Sequence, residues 1–162
     1  MTLPGPVERV AAALRAMGLG ATPTVFERST ATADEAAAAV GCEPGQIVKT
    51  LLFMADGRPT MVLMAGDRQV DTAALAEILG VGRKRLKMAT PEEVREVTGY
   101  DVGGVAPLGW ARPADVVIDD SLRRFTRVWA AAGASNAVFA AALEELAAAV
   151  GGQWAAIAKG GG

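Results

Sequence analysis

The strongest constraint on the fold is a pair of β-rich runs, residues 46–55 and 60–65, separated only by Asp56-Gly57-Arg58-Pro59. An Asp-Gly pair supplies the backbone conformations that a tight hairpin turn needs, so the two runs are expected to pair antiparallel. The segments around them alternate irregularly. Residues 6–18 carry Val7, Val10, Ala11, Leu14 and Met17 at helical spacing and close on a glycine. Residues 24–28 read as a strand, and Thr32-Ala33-Asp34-Glu35 is a capping box for a helix that stops at Gly41. Asp71 caps a helix through Leu79, and residues 85–89 form a short strand. Thr90-Pro91-Glu92-Glu93 is a second capping box, whose helix ends at Gly99. Beyond a glycine-rich stretch, residues 115–119 and 126–131 read as strands and 143–150 as a last helix, ended by Gly151-Gly152. A low-complexity tail follows Lys159. One hairpin among irregularly alternating elements favours an α+β fold with a mixed sheet over a doubly wound parallel one. The 162 residues suit one compact domain, residues 1–162, without repeat or linker.

Two absences narrow the chemistry more than the composition does. The chain has no histidine, which excludes Ser-His-Asp and Cys-His catalysis from its own residues. It has one cysteine, Cys42, so no internal disulfide forms, a zinc site is not expected, and a reducing cytoplasm suits it. No metal or cofactor is expected. The first six residues show neither the basic nor the apolar part of a signal peptide, and no apolar run reaches the roughly 20 residues that span a bilayer. The expectation is therefore a cytoplasmic protein without membrane contact. A net charge of −2 does not advertise a nucleic-acid binder, but charge is uneven. Arg83, Lys84, Arg85 and Lys87 form one basic cluster, and Arg123, Arg124 and Arg127 another. Each is either a solvated face or a surface that follows phosphates.

Three segments could carry chemistry. Lys49 interrupts the apolar run 46–54, and in a continuous strand it shares a face with Ile47, Leu51 and Phe53. A lysine there either snorkels from an edge strand or is held for use, as an electrophile for a carbonyl or phosphate or with a lowered pKa. Gly103-Gly104-Val105-Ala106-Pro107-Leu108-Gly109 is either a tight loop or a backbone surface whose amides form an oxyanion hole. It lacks the lysine and hydroxyl of a phosphate-binding loop. Gly133-Ala134-Ser135-Asn136 is a small-residue turn, in which Asn136 is a good turn former. Cys42 has no base to activate it and reads as structural. Asp119-Asp120-Ser121 reads as a strand end and helix cap, with Asp119 also able to line a pocket.

Together and in this order these segments resemble the YbaK/proline-tRNA-synthetase-associated editing-domain family. The resemblance runs from about Thr32 to Val150. It rests on Gly45-Gln46-Ile47-Val48-Lys49-Thr50-Leu51, Gly66-Asp67-Arg68, the 103–109 segment, Val117-Ile118-Asp119-Asp120-Ser121-Leu122 and the turn from Gly133 to Phe139. It implies a mixed β-sheet, partly rolled into a barrel, with helices around it. It also implies hydrolysis of the ester joining a wrong small amino acid to tRNA, most often proline tRNA, by a free-standing deacylase acting in trans. By the resemblance, Lys49 is needed for activity near the tRNA 3′ end, either anchoring the terminal nucleotide or polarising the ester. The resemblance places the 103–109 backbone against the acyl group; the amides of Gly103 and Gly104 are then expected to stabilise the oxyanion, and Asn136 to orient water or the substrate's amino group. Substrate contact falls to Thr50, Pro107, Gly109, Asp119 and Gly133, and the two basic clusters become candidates for the acceptor stem. Several relatives carry a histidine in the turn where this chain has Ala134 and Asn136, a departure that leaves the preferred amino acid open. An aminoacyl ester is already activated, so a site that holds water, carbonyl and ribose in line can act without histidine. The alternative is a non-catalytic module of the same fold that binds charged tRNA or a synthetase.

Overall fold

The computed structural model describes residues 5–160, so the reading of the first four residues lies outside it. In chain order the elements are α1 (Gly5–Ala16), β1 (Thr24–Val25), α2 (Ala33–Val40), β2 (Ile47–Ala55), β3 (Arg58–Ala65), α3 (Thr72–Leu79) and β4 (Leu86–Met88). They continue with α4 (Pro91–Thr98), β5 (Asp115–Asp119), β6 (Arg127–Ala131), β7 (Ala137–Ala142), α5 (Leu143–Val150) and β8 (Gln153–Ala155). Both capping boxes form: Thr32 accepts from the Glu35 amide and Thr90 from the Glu93 amide, and each glutamate reaches back. No helix among the described residues is long and apolar enough to cross a membrane.

The central hairpin is tighter than its sequence suggests. Asp56 and Gly57 both take positive φ, 50° and 82°, and form the whole turn. Arg58 and Pro59 belong to β3, where they pair with Ala55 and Met54. Pro59 fits because the Met54–Pro59 pair exchanges no ladder bonds, and the neighbouring β5 begins only opposite Thr60.

The sheet order is β1-β7-β6-β2-β3-β5-β8, with β4 also paired to β2. Pairs β2–β6, β3–β5 and β5–β8 are parallel and the rest antiparallel, so the sheet is mixed as expected. No ladder joins β1 to β8 among the described residues, and the sheet stays open. β2 lies at its centre, and the adjacent β3 is buried on both faces. Met61, Leu63 and Ala65 pack with Val7, Val10 and Leu14 of α1, whereas Val62 and Met64 pack with Leu75 and Ala76 of α3. Truncating a side chain such as Leu63 would cost about 2–5 kcal/mol.

Three strands depart from the expected bounds. β1 is two residues long rather than five, because Phe26 leaves the ladder: its N–H donates to the Asn136 carbonyl (2.7 Å) and its carbonyl accepts from Asn136 Nδ2 (2.9 Å). β7 extends to Ala142, through a segment read as a turn only as far as Phe139. β8 was not expected at all. Alanine favours strands weakly, and a three-residue strand has no periodicity to read; partner strands impose both.

Candidate functional site

β2 carries three neighbours. β3 flanks it along its length on one side. On the other side, β6 pairs only with Ile47 and Val48, and β4 only with residues 53–55. Residues 49–52 therefore have no strand on that side, and the sheet has a gap at its centre. The gap opens into a cleft of about 670 Å³, within the range of small-ligand sites. Met88, Ala89 and Val94 wall one side and Ala131 and Val138 the other. The segment leading into α2, Thr30 to Asp34 with Ala36, and the loop at Val102, Gly103 and Val105 close over it. Among its described lining residues only Lys49 and Asp34 are charged, and none is aromatic.

Lys49 is half-buried and held rather than snorkelling. Its Nζ donates to the Arg68 carbonyl, leaving two of its three donor directions for a ligand. Burial pulls the ammonium below the usual lysine range, and the Asp67 carboxylate partly opposes that. The loop that supplies this carbonyl is fixed in turn. Asp67 accepts from both ends of the Arg124 guanidinium (2.7 and 2.9 Å) and from Arg68 (3.2 Å). Gly66 lets the loop press against the 44–47 segment, since a Cβ there would lie 2.3 Å from the Pro44 carbonyl oxygen. Gly66-Asp67-Arg68 carried part of the family resemblance without any assigned role. Its role is to position Lys49, and the only local signal was a glycine before two opposite charges.

Thr50 also lines the cleft. Its hydroxyl is buried without a hydrogen-bond partner among the described residues, an exception to the rule that buried polar atoms are paired. Gly103 lines the cleft as well, and its N–H meets no acceptor among the described residues. The remaining sequence-derived site residues do not line the cleft. The Gly104 amide is taken by the Asp101 carbonyl (3.0 Å), and a Cβ there would sit 2.8 Å from the Ala134 backbone, so Gly104 serves close packing and not an oxyanion. Gly133 donates to the Gly104 carbonyl (3.0 Å) and packs on Pro6 of α1. Asn136 spends its side chain on Phe26. Pro107 is buried, and the Gly109 carbonyl accepts from Arg9 (3.0 Å) and from the Tyr100 hydroxyl (3.2 Å). Asp119 is 1% exposed and clasps the C-terminal segment, accepting from Ser121 (2.9 Å) and Ile157 (2.8 Å) amides. Burial pushes the Cys42 thiol up, away from reactivity, and the residue does not line the cleft.

The basic clusters part company. Arg123 pairs with Asp120 and stacks on Trp154, Arg124 is clamped to Asp67, and Arg127 lies over Trp129. In the other cluster Arg85 pairs with Asp56, but Arg83, Lys84 and Lys87 are exposed and in no ion pair among the described residues. That segment runs directly into Met88 and Ala89 on the cleft wall. Met88 and Val102, 58% and 65% exposed, leave the cleft mouth apolar.

Fold and site thus define a small mixed-sheet α+β domain with a lysine-bearing cleft at a break in the pairing of its central strand. The sequence profile of the aminoacyl-tRNA editing domain matches residues 27–149. The protein YwhH of Bacillus subtilis, itself uncharacterized, is 36% identical over 124 residues, covering 76% of this chain and 77% of YwhH. A proline–tRNA ligase of Nitratidesulfovibrio vulgaris is 39% identical over 92 residues, 57% of this chain but only 16% of the ligase. A crystal structure of a protein proposed as a trans-editing enzyme for prolyl tRNA synthetase superposes with a TM-score of 0.92, at 39% identity, covering 98% of this chain and all of that one. The chain belongs to the aminoacyl-tRNA editing domain family.

Proposed function

We propose that the protein is a trans-acting deacylase that hydrolyses the ester of a mischarged tRNA, proline tRNA carrying a wrong small amino acid. The observation that carries the reading is Lys49 held at the wall of an otherwise mainly apolar cleft, in a chain of the editing family. Water attacks the ester carbonyl, the oxygen gains negative charge, and the terminal ribose oxygen departs with a proton. Lys49 stabilises negative charge at the ester or anchors the terminal phosphate, and the Gly103 amide is a second donor toward the oxyanion. The cleft lining holds hydroxyls of Thr30, Thr32 and Thr50 and one carboxylate, Asp34, but no nucleophile with an adjacent base. That suits an activated ester positioned beside its own ribose hydroxyls better than a stable one. Arg83, Lys84 and Lys87 supply phosphate contacts that lead an acceptor end to the cleft mouth. A synthetase is a natural second partner for an editor that acts in trans. Such an editor is useful because one methylene gives a synthetase pocket only about 1–3 kcal/mol of discrimination.

The test is deacylation of a panel of mischarged tRNAs, proline tRNA first. Catalytic release of one or a few amino acids is expected. Retained tRNA binding without release from any member would make the protein a binding module.

A further inference from the structure

The gap in β2 exposes particular backbone groups. The Ala89 N–H donates to the Leu52 carbonyl, so the even-numbered residues of β2 turn their backbone groups toward β4 and β6. The parallel ladder with β6 stops at Val48–Ala130 and the antiparallel one with β4 starts at Phe53–Met88. Thr50 lies between these limits. Its N–H and carbonyl both face the gap, and neither has a partner among the described residues. Main-chain groups of a sheet are normally paired, and the buried orphan hydroxyl belongs to the same residue.

An extended α-amino ester carries its amino group and carbonyl at the spacing found in one strand residue. In a hydrogen-bonded antiparallel pair, two residues exchange both N–H···O bonds. We infer that Thr50 reads the aminoacyl group as a one-residue strand, its N–H donating to the ester carbonyl and its carbonyl accepting from the α-ammonium. This rests on the deacylase reading and assigns the backbone of Thr50 a role that its side chain did not suggest. The ladders on either side set the length of the occupant. Val48 and Leu52 already use their outward carbonyls on β6 and β4, so one residue fits and a peptide strand does not. The N–H of Thr50 then occupies the position on the oxyanion that Gly104 cannot take.

The consequence is a requirement for a hydrogen-bond donor at the α-position of the acyl group. Wild-type protein is given three esters on one proline-tRNA acceptor hairpin: the aminoacyl ester it releases fastest, the α-hydroxy analogue and the desamino analogue. Each rate is divided by its uncatalysed rate, which removes differences in intrinsic ester reactivity. The desamino ester is expected to lose about 10- to 100-fold of the acceleration, with the hydroxy ester between. In parallel, an amide-to-ester replacement at Thr50, which removes its N–H and weakens only the Lys49 carbonyl on the β3 side, should lower kcat at least about tenfold with an unchanged circular dichroism spectrum. Equal acceleration of the desamino ester, or an undiminished kcat in the backbone variant, would overturn the inference and leave the deacylase reading standing. No release of any ester would overturn both.

Discussion

Lys49 lies between Ile47 and Leu51 on its face of β2, with its ammonium on the Arg68 carbonyl. Because burial lowers its pKa, the ammonium is lost at a lower pH than an ordinary lysine's. The account needs the charged form, so the acceleration over uncatalysed hydrolysis should decline through the alkaline range. In Lys49→Arg, which stays charged there, any residual activity should lack that decline. A pH profile that instead rises as the lysine deprotonates would make it a base. Asp67 gives a second sign to check. Its hydrogen bonds to Arg124 hold the carboxyl below the usual carboxylate range. A carboxyl lowered in the folded state stabilises fully above the unfolded pKa, and the contribution is lost as pH falls through the folded one. Asp67→Asn should therefore cost under about 1 kcal/mol at neutral pH, the pair being partly exposed, and converge with wild type in acid unfolding curves. The lysine was legible in the sequence as a charge inside an apolar run. Its holder, a backbone carbonyl nineteen residues away, was not, because a carbonyl leaves no side-chain signature.

At the scale of elements, local chemistry and the hairpin pairing it fixes were readable, and long-range pairing was not. Both capping boxes and the Asp56-Gly57 turn are written in adjacent residues, and the corresponding elements form where they were expected. The gap beside β2 depends on where β6 and β4 stop, and these pair with β2 across 82 and 31–35 residues of chain, respectively. The same nonlocality explains why Gly104 and Gly133 read as ligand-binding glycines: their close neighbours are Ala134 and Pro6, distant in sequence, and Gly109 packs on Tyr100 beyond the loop. The segment from Arg83 to Lys87 yields a prediction at this scale. Replacing Arg83, Lys84 and Lys87 by glutamate should raise KM with kcat little changed. It should also flatten the dependence of log KM on log salt, by roughly 0.7–0.9 for each phosphate that is no longer neutralised. The same change at Arg123 would disturb Trp154 and Asp120 instead, and should leave the salt dependence alone.

For the molecule as a whole, the open sheet separates its two larger cores and leaves the pairing along one edge of its central strand, β2, interrupted. The interruption brings a held lysine, an orphan threonine and a glycine amide to one cleft, with a basic segment leading to its mouth. The central claim is that this cleft catalyses ester hydrolysis through Lys49. The most direct measurement is the single-turnover deacylation rate of a mischarged proline tRNA with wild type and Lys49→Ala, alongside tRNA affinity and thermal unfolding. The account predicts a loss of about 100-fold or more in the rate with the fold retained. A Lys49→Ala protein that deacylates at the wild-type rate would contradict it.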